Sequence, residues 1–425
     1  MKRQFWRGIK ENALVKTLIG LEGNPRTLVF IEPLWGIPFH LIAPFISLYM
    51  FELGVSDIQI GLLASVTMLV QVFFAAFGGI ITDKLGRKKT TMMGDFLGWV
   101  LPCIIWAVAQ NFWFFLAAML LNSFEQVNQT AWNCLMIEDA DKKDSLNIYT
   151  WVTIAGLCAV FFAPISGALI PVFSSVIPVM RVLYFVFAAA MFAKNIITWR
   201  YAKETKMGVI RMEETKNTSF FYMLSEYRTL IPKIFKNPQM LSTLLVTVIM
   251  WISNVINSNF FALYVSENLL IPKQFLAYFP IFRAALMLIF MFAIQHKLAS
   301  LKLRIPMGVG YALYIAGHVI LILSPMKSVL FIFIVTFLEA IAFALVIPRK
   351  DSMMVLYIDE VERARIVSFM TAISIAIASP FGYIAGLLSS VDRRLPFLFT
   401  IILYTIALGV VLRFKEIKPK EAVVT

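Results

Sequence analysis

Gly79-Ile80-Ile81-Thr82-Asp83-Lys84-Leu85-Gly86-Arg87-Lys88-Lys89 is a short basic turn with two glycines and one acid, set between two long apolar runs. The same alternation of long apolar run and short charged turn continues along the chain. Of 425 residues, 60% are hydrophobic and only 15% charged, and the mean hydropathy is +0.80. Soluble domains carry about a quarter charged residues, so the solvent this composition implies is a bilayer. A bilayer offers the backbone no water, which leaves helices or closed barrels. The apolar runs are about 20 residues long and lack the two-residue alternation of barrel strands, so they read as helices.

Working outward, apolar segments fall at 27–50, 58–82, 90–110, 112–133, 148–172 and 178–200, and again at 239–265, 274–296, 304–324, 328–348, 364–388 and 395–413. The expected organisation is a cytoplasmic N-terminal segment 1–26, a six-helix bundle 27–200, a polar linker 201–237, a second bundle 238–413 and a tail 414–425. Phe5, Trp6, Ile9 and Ala13 recur near helical spacing among basic residues, as in a helix lying on a membrane surface, or in a basic tail. No cleavable signal is expected in the first 26 residues, which have six Lys and Arg and no apolar core.

Charge tests the topology. With both termini in the cytoplasm, 31 of the 38 Lys and Arg fall on the cytoplasmic side. Only Arg181, Lys273, Lys327, Arg393 and Arg394 fall outside, and Lys194 and Arg283 lie within spans. That asymmetry is the positive-inside pattern, and it explains the net charge of +13 better than nucleic acid does. Three scattered cysteines make no disulfide framework.

The two sets of six also repeat. Asn24-Pro25 precedes the first span and Asn237-Pro238 the seventh, 213 residues later; Lys203-Glu204-Thr205-Lys206 and Lys415-Glu416-Ile417-Lys418 follow the sixth and twelfth. Pro164 and Pro380 lie 216 apart in spans 5 and 11. Shifting the opening turn by 213 gives His296-Lys297-Leu298-Ala299-Ser300-Leu301-Lys302, which has lost the acid, the glycine and the arginine.

The Gly-x3-Asp-x2-Gly-Arg-Lys pattern, placed between spans 2 and 3, resembles the loop that marks the major facilitator superfamily of secondary transporters. The resemblance implies an all-α membrane protein of twelve transmembrane helices in two pseudo-symmetric six-helix bundles, moving a small solute by alternating access. It implies that Gly79, Asp83, Gly86, Arg87 and Lys88 form a cytoplasmic gate latch. On physical grounds Gly79 would admit a close neighbouring helix, Gly86 a turn with positive φ, and Asp83 a pair with Arg87 or a helix end.

Polar residues within spans are costly and mark function by default. In span 4, Asn122, Glu125, Gln126, Gln129 and Asn133 share an arc of about 100°. That stripe needs a water-filled cavity or a partner helix, and Glu125 is the proton or cation site it suggests, since a desolvated carboxylate trades protons readily. Arg283 in span 8 is expected to pair with Glu125 or Glu339, or to hold a substrate anion. Glu339 is either a second carrier or only that arginine's counter-ion. Trp251, Asn254 and Asn257 share a face of span 7 that suits hydroxyl-bearing substrates, or hydrogen-bonds neighbouring helices. His40 and His318 relay protons or are structural, and Trp35 and Trp132 line the cavity or pack. Asp95 is assigned to the latch network, and Glu138, Asp139, Asp359 and Glu360 to gating or solvated loops.

No phosphate-binding Gly-x4-Gly-Lys-Ser/Thr, no His-Glu-x2-His and no Cys-x2-Cys occurs. The expectation is therefore a monomeric, proton-coupled transporter of the cytoplasmic membrane, neither an enzyme nor ATP-driven, needing no cofactor or metal and binding no nucleic acid. Its substrate is a sugar or other polar metabolite, an exported drug-like cation, or an organic anion. A transport-dead sensor or scaffold would call for a soluble domain that the linker is too short to supply.

Overall fold

A computed structural model describes residues 18, 20–140, 145–216, 237–293, 301–356 and 363–414. The surface-helix reading at 5–13, most of the linker, the second loop copy at 296–300, Asp359, Glu360 and the tail from 415 lie outside the described residues. Within them all the regular structure is helical, and eleven helices are long and apolar enough to cross a membrane.

Span 4 is the exception, and the reason is local. It folds as two short helices, Phe112–Asn122 and Glu125–Ile137, joined through Ser123 and Phe124. There the ladder tightens to i→i−3 bonds: the amides of Phe124, Gln126 and Val127 donate to the carbonyls of Leu121, Ser123 and Phe124. Spans 5 and 11 break as well, each at the proline paired by the repeat. Pro164 lies in the first turn of Ala163–Phe173 and Pro380 opens Pro380–Val391, where a missing N–H costs nothing.

Contacts sort the chain into two compact units, Met1–Phe45 with Phe73–Met223, and Ile46–Val72 with Leu224–Thr425. The second unit thus includes the end of span 1 and the first half of span 2. Small residues account for that. A Cβ added to Gly61 would sit 2.3 Å from the Gly382 carbonyl oxygen, and one on Gly386 would be 2.7 Å from that of Asp57. Backbones can approach this closely only where side chains are absent. Polar contacts fix the same seam. Arg393 Nε donates to Asp57 Oδ2 at 2.9 Å, Ser389 Oγ to the same oxygen at 2.6 Å, and Arg393 lies over the Phe51 ring. Lys273 pairs with Glu52 at 2.7 Å.

In the first unit the comparable close approach is between spans 3 and 4. A Cβ on Gly94 would lie 2.3 Å from Asn128 Cβ, and one on Gly98 would lie 3.2 Å from the Glu125 amide nitrogen. Four residues apart, these glycines form one face that receives the helix beginning at Glu125. At Gly98, span 3 widens into a π-helical turn, Phe96–Val100. Gly79 does not do what its position suggests, since a Cβ there meets nothing within 4 Å. Its neighbour Gly78 is the close one, 3.3 Å from Val127 Cα. Gly94→Ala should therefore destabilise the purified protein by about 1–3 kcal/mol, read as a lower thermal midpoint in detergent. Gly79→Ala should be neutral or slightly stabilising; equal melting of the two would contradict this packing.

Candidate functional site

Four charged side chains of the first unit converge inside the membrane-spanning region. Glu32 sits at the joint between the helices Gly23–Ile31 and Pro33–Ile42. Asp95 ends the helix Arg87–Asp95, Glu125 begins Glu125–Ile137, and Lys194 lies two turns from the end of Val176–Tyr201. Lys194 Nζ is 3.6 Å from Glu32 Oε2 and 3.9 Å from Asp95 Oδ1. Its ammonium also lies 5.9 Å from the centre of the Trp132 ring. Asn128 Nδ2 donates to Asp95 Oδ1 at 2.8 Å, and Lys194 acts electrostatically on Glu125 as well.

These groups surround a cavity of about 220 Å³, walled by the indoles of Trp35, Trp99 and Trp132 and by Gln129 and Asn133. Trp99 meets Trp35 edge-on at 5.7 Å and lies tilted against Phe187, while Trp35 stacks on Phe39, so two of the three rings are braced by further aromatics. Asp95 is fully buried, and its Oδ2 has no hydrogen-bond partner among the described residues; Trp132 Nε1 is likewise unpaired. Buried polar atoms nearly always find partners, so these two atoms stand out as free hydrogen-bonding groups beside the cavity.

The sequence pattern at span 4 resolves into several roles. Glu125, Gln129 and Asn133 line the cavity. Asn122 donates to the Gly98 carbonyl at 2.6 Å and so staples the break to the π turn of span 3. The Gln126 carbonyl accepts from Thr130 Oγ1, and its side chain is outside the cavity wall. Asp95, expected in the latch, belongs to the cavity instead: eight residues of helix carry it about 12 Å from Arg87. Glu32, Lys194 and Asn128 were not singled out. The signal available for the first two was an unpaired charge inside an apolar run; Asn128 lies off the polar arc and shows itself only through Asp95.

In the second unit, Arg283 places its guanidinium 4.9 Å over the Phe343 ring, while Glu339 Oε1 lies 3.6 Å from His318 Nδ1. Of the alternatives for Arg283, the pair with Glu339 is not formed: an aromatic face takes the arginine and a histidine lies beside the acid. His318 Nδ1 is also 3.1 Å from the Tyr314 carbonyl. Trp251 and Asn257 are half-buried and Asn254 is exposed, while His40 packs edge-on against Phe39.

At the membrane edge of the first unit, the opening turn is held by a closed polar network. Gly86 has φ +86°, as a tight turn requires. Arg87 pairs with Asp83 at 2.8 Å and with Glu138 at 3.1 Å. Glu204 accepts from the amides of Arg87 and Lys88 at 2.9 and 3.0 Å, capping the helix Arg87–Asp95 from a distant part of the chain. Thr205 Oγ1 donates to Glu138 Oε2, Lys88 Nζ to the Trp199 carbonyl, and Asn24 exchanges two hydrogen bonds with Lys203. The tag after span 6 and the turn after span 2, separate in sequence, thus meet in one network. Since a carboxylate at a helix N-terminus and the two donors it satisfies contribute on the order of 1–2 kcal/mol, Glu204→Ala should lower the thermal midpoint. Arg87→Lys should do so too, because an ammonium cannot bridge Asp83 and Glu138 as a fork does. Unchanged melting in both would contradict the network.

Comparison with known proteins places these features in a family. A model of the Major Facilitator Superfamily matches residues 35–325. "Multidrug resistance protein MdtG" of Yersinia enterocolitica is 29% identical over 219 residues, 50% of this chain and 49% of that protein. Its Salmonella paratyphi A counterpart is 25% identical over 221 residues, 51% of each. The alignments thus span about half the length of the curated relatives they match. Among solved structures, the nucleoside transporter NupG superposes with a TM-score of 0.72 at 15% identity, covering 93% of this chain and all of that one. A bacterial homologue of the human lysosomal transporter Spinster gives 0.70 at 16%, covering 91% and 95%. At those identities the likeness is one of fold.

Proposed function

The chain belongs to the Major Facilitator Superfamily, and from that premise we propose that it is a proton-coupled secondary transporter that exchanges small organic cations by alternating access. The observation that carries this reading is the cavity wall of the first unit, where three carboxylates and one ammonium share a site with three tryptophans. Carboxylates attract cations and exchange protons, and indole faces bind quaternary or flat aromatic cations. Glu125 is the central coupling residue, with Glu32 and Asp95 beside it and Lys194 as their fixed counter-charge. The amides of this wall are Asn128, Gln129 and Asn133, and Asn128 is already committed to Asp95, so charge and aromatic faces outweigh amides in it.

The direction we propose is export, driven by protons moving inward. It agrees with relatives called multidrug resistance proteins, although those alignments cover half of each chain. The charge asymmetry of the loops supports a cytoplasmic-membrane protein with both termini inside. One chain supplies the whole cavity wall described above, which fits a functional monomer.

Proteoliposomes with an imposed pH gradient and an internal pH-sensitive dye test the reading. Wild-type protein should collapse the gradient when an aromatic quaternary cation is added. Glu125→Gln should slow that response at least tenfold while leaving the protein folded. Full gradient-driven exchange by Glu125→Gln, or dye quenching by sugars and not by cations, would contradict it.

A further inference from the structure

The cation site carries a charge count that does not balance. Glu32, Asp95 and Glu125 contribute three negative charges when ionised, and Lys194 one positive charge. Among the described residues no other charged or titratable side chain lines the cavity. Arg87 is held by Asp83 and Glu138, Arg181 donates to the Ala109 carbonyl, and His40 packs on Phe39. Tyr149 is exposed on the helix Ser145–Val160. Four groups therefore form a closed set, and with every carboxylate ionised the set carries three negative charges against one, a net of −2.

Three indoles and three amides also line this wall, and none of them carries a charge to offset that excess; burying uncompensated charge is among the costliest things a protein can do. Two protons can supply the balance, and so can positive charge on a ligand. The fully buried Asp95, with Oδ2 unpaired among the described residues, is a ready place for one of them. Glu125 stands at a helix start and makes no ion pair among the described residues, yet shares the cavity wall with Lys194 and Asp95.

We infer that, before a cation binds, the cavity of the first unit holds two exchangeable protons on its three carboxylates, and that a bound cation displaces as many protons as it carries positive charges. A monocation releases one and a dication two, so exchange at this site is neutral for either class. The same rule sets a ceiling. With one carboxylate made neutral, only one proton remains to be displaced, and a dication must then bind against a positive residue of charge. This inference rests on the cation-site reading proposed above and adds its stoichiometry.

The test uses two ligands of matched shape that cannot themselves lose a proton, N-methyl-4-phenylpyridinium and N,N′-dimethyl-4,4′-bipyridinium. Binding to the full-length protein in nanodiscs is followed by calorimetry in buffers of different ionisation enthalpy, which counts protons released. The expected result is one proton for the monocation and two for the dication. Asp95→Asn, which keeps the Asn128 bond, and separately Glu125→Gln, should each leave the monocation at one and reduce the dication to one. Equal release for both ligands from the unaltered protein would overturn the charge-tracking rule while leaving the cation site standing. Binding with no proton release would overturn the rule and the proton coupling together, and no binding of either ligand would overturn the cation-site reading itself.

Discussion

The ammonium of Lys194, buried among Glu32, Asp95 and the face of Trp132, is the constraint around which the first unit is arranged. A lysine in that position needs acids on several sides, and each acid arrives from a different helix. Glu32 comes from the joint in span 1, Asp95 from the point where span 3 turns π-helical, and Glu125 from the break in span 4. These three irregularities each lie beside one of the acids, whereas the break of span 5 follows from Pro164. Gly94 and Gly98 then allow the broken span to approach closely enough for Asn128 to reach Asp95. Because removing one member of a buried charge group leaves the rest uncompensated, the set is expected to behave as a unit and its members not to be additive.

The same helices tie the cavity to the loop at the membrane edge. The nine-residue helix Arg87–Asp95 starts at the Glu204 cap and ends in the cavity wall. The helix Val176–Tyr201 carries Lys194 in the cavity and, five residues on, the Trp199 carbonyl that accepts from Lys88. A change of charge in the cavity is thus separated from the Asp83–Arg87–Glu138 network by rigid helical segments and no flexible linker. That continuity is the physical route the proposed proton coupling would use to reach the loop within the first unit.

Much of the architecture was legible in the residues. Apolar runs of about 20, the basic turn and the matched prolines were enough to give the helical membrane class, and Pro164 and Pro380 do mark breaks in their spans. Gly86 took the positive φ its place in the turn demanded. The cavity was legible only in part. Glu125, Gln129 and Asn133 follow from a helical projection, but that projection assumes a straight helix, and the tightening at Ser123–Phe124 redirects Asn122 to the Gly98 carbonyl. Glu32 and Lys194 are 162 residues apart and only their meeting gives them meaning, which no local pattern encodes. Arg283 was read by its charge alone, whereas the Phe343 face that holds it is a tertiary feature. Glu204 shows the same limit: an acid in a short tag acquires its role from two amides 116 and 117 residues upstream.

The central claim is that carboxyl groups in this cavity hold protons which a cation displaces. Infrared difference spectroscopy of the reconstituted protein reads that directly, because a protonated carboxyl has a carbonyl stretch that the ionised form lacks. Adding N-methyl-4-phenylpyridinium near neutral pH should produce a negative band in that region, and Glu125→Gln or Asp95→Asn should diminish it. A saturating cation that leaves the protonated-carboxyl region unchanged in the unaltered protein would contradict the account.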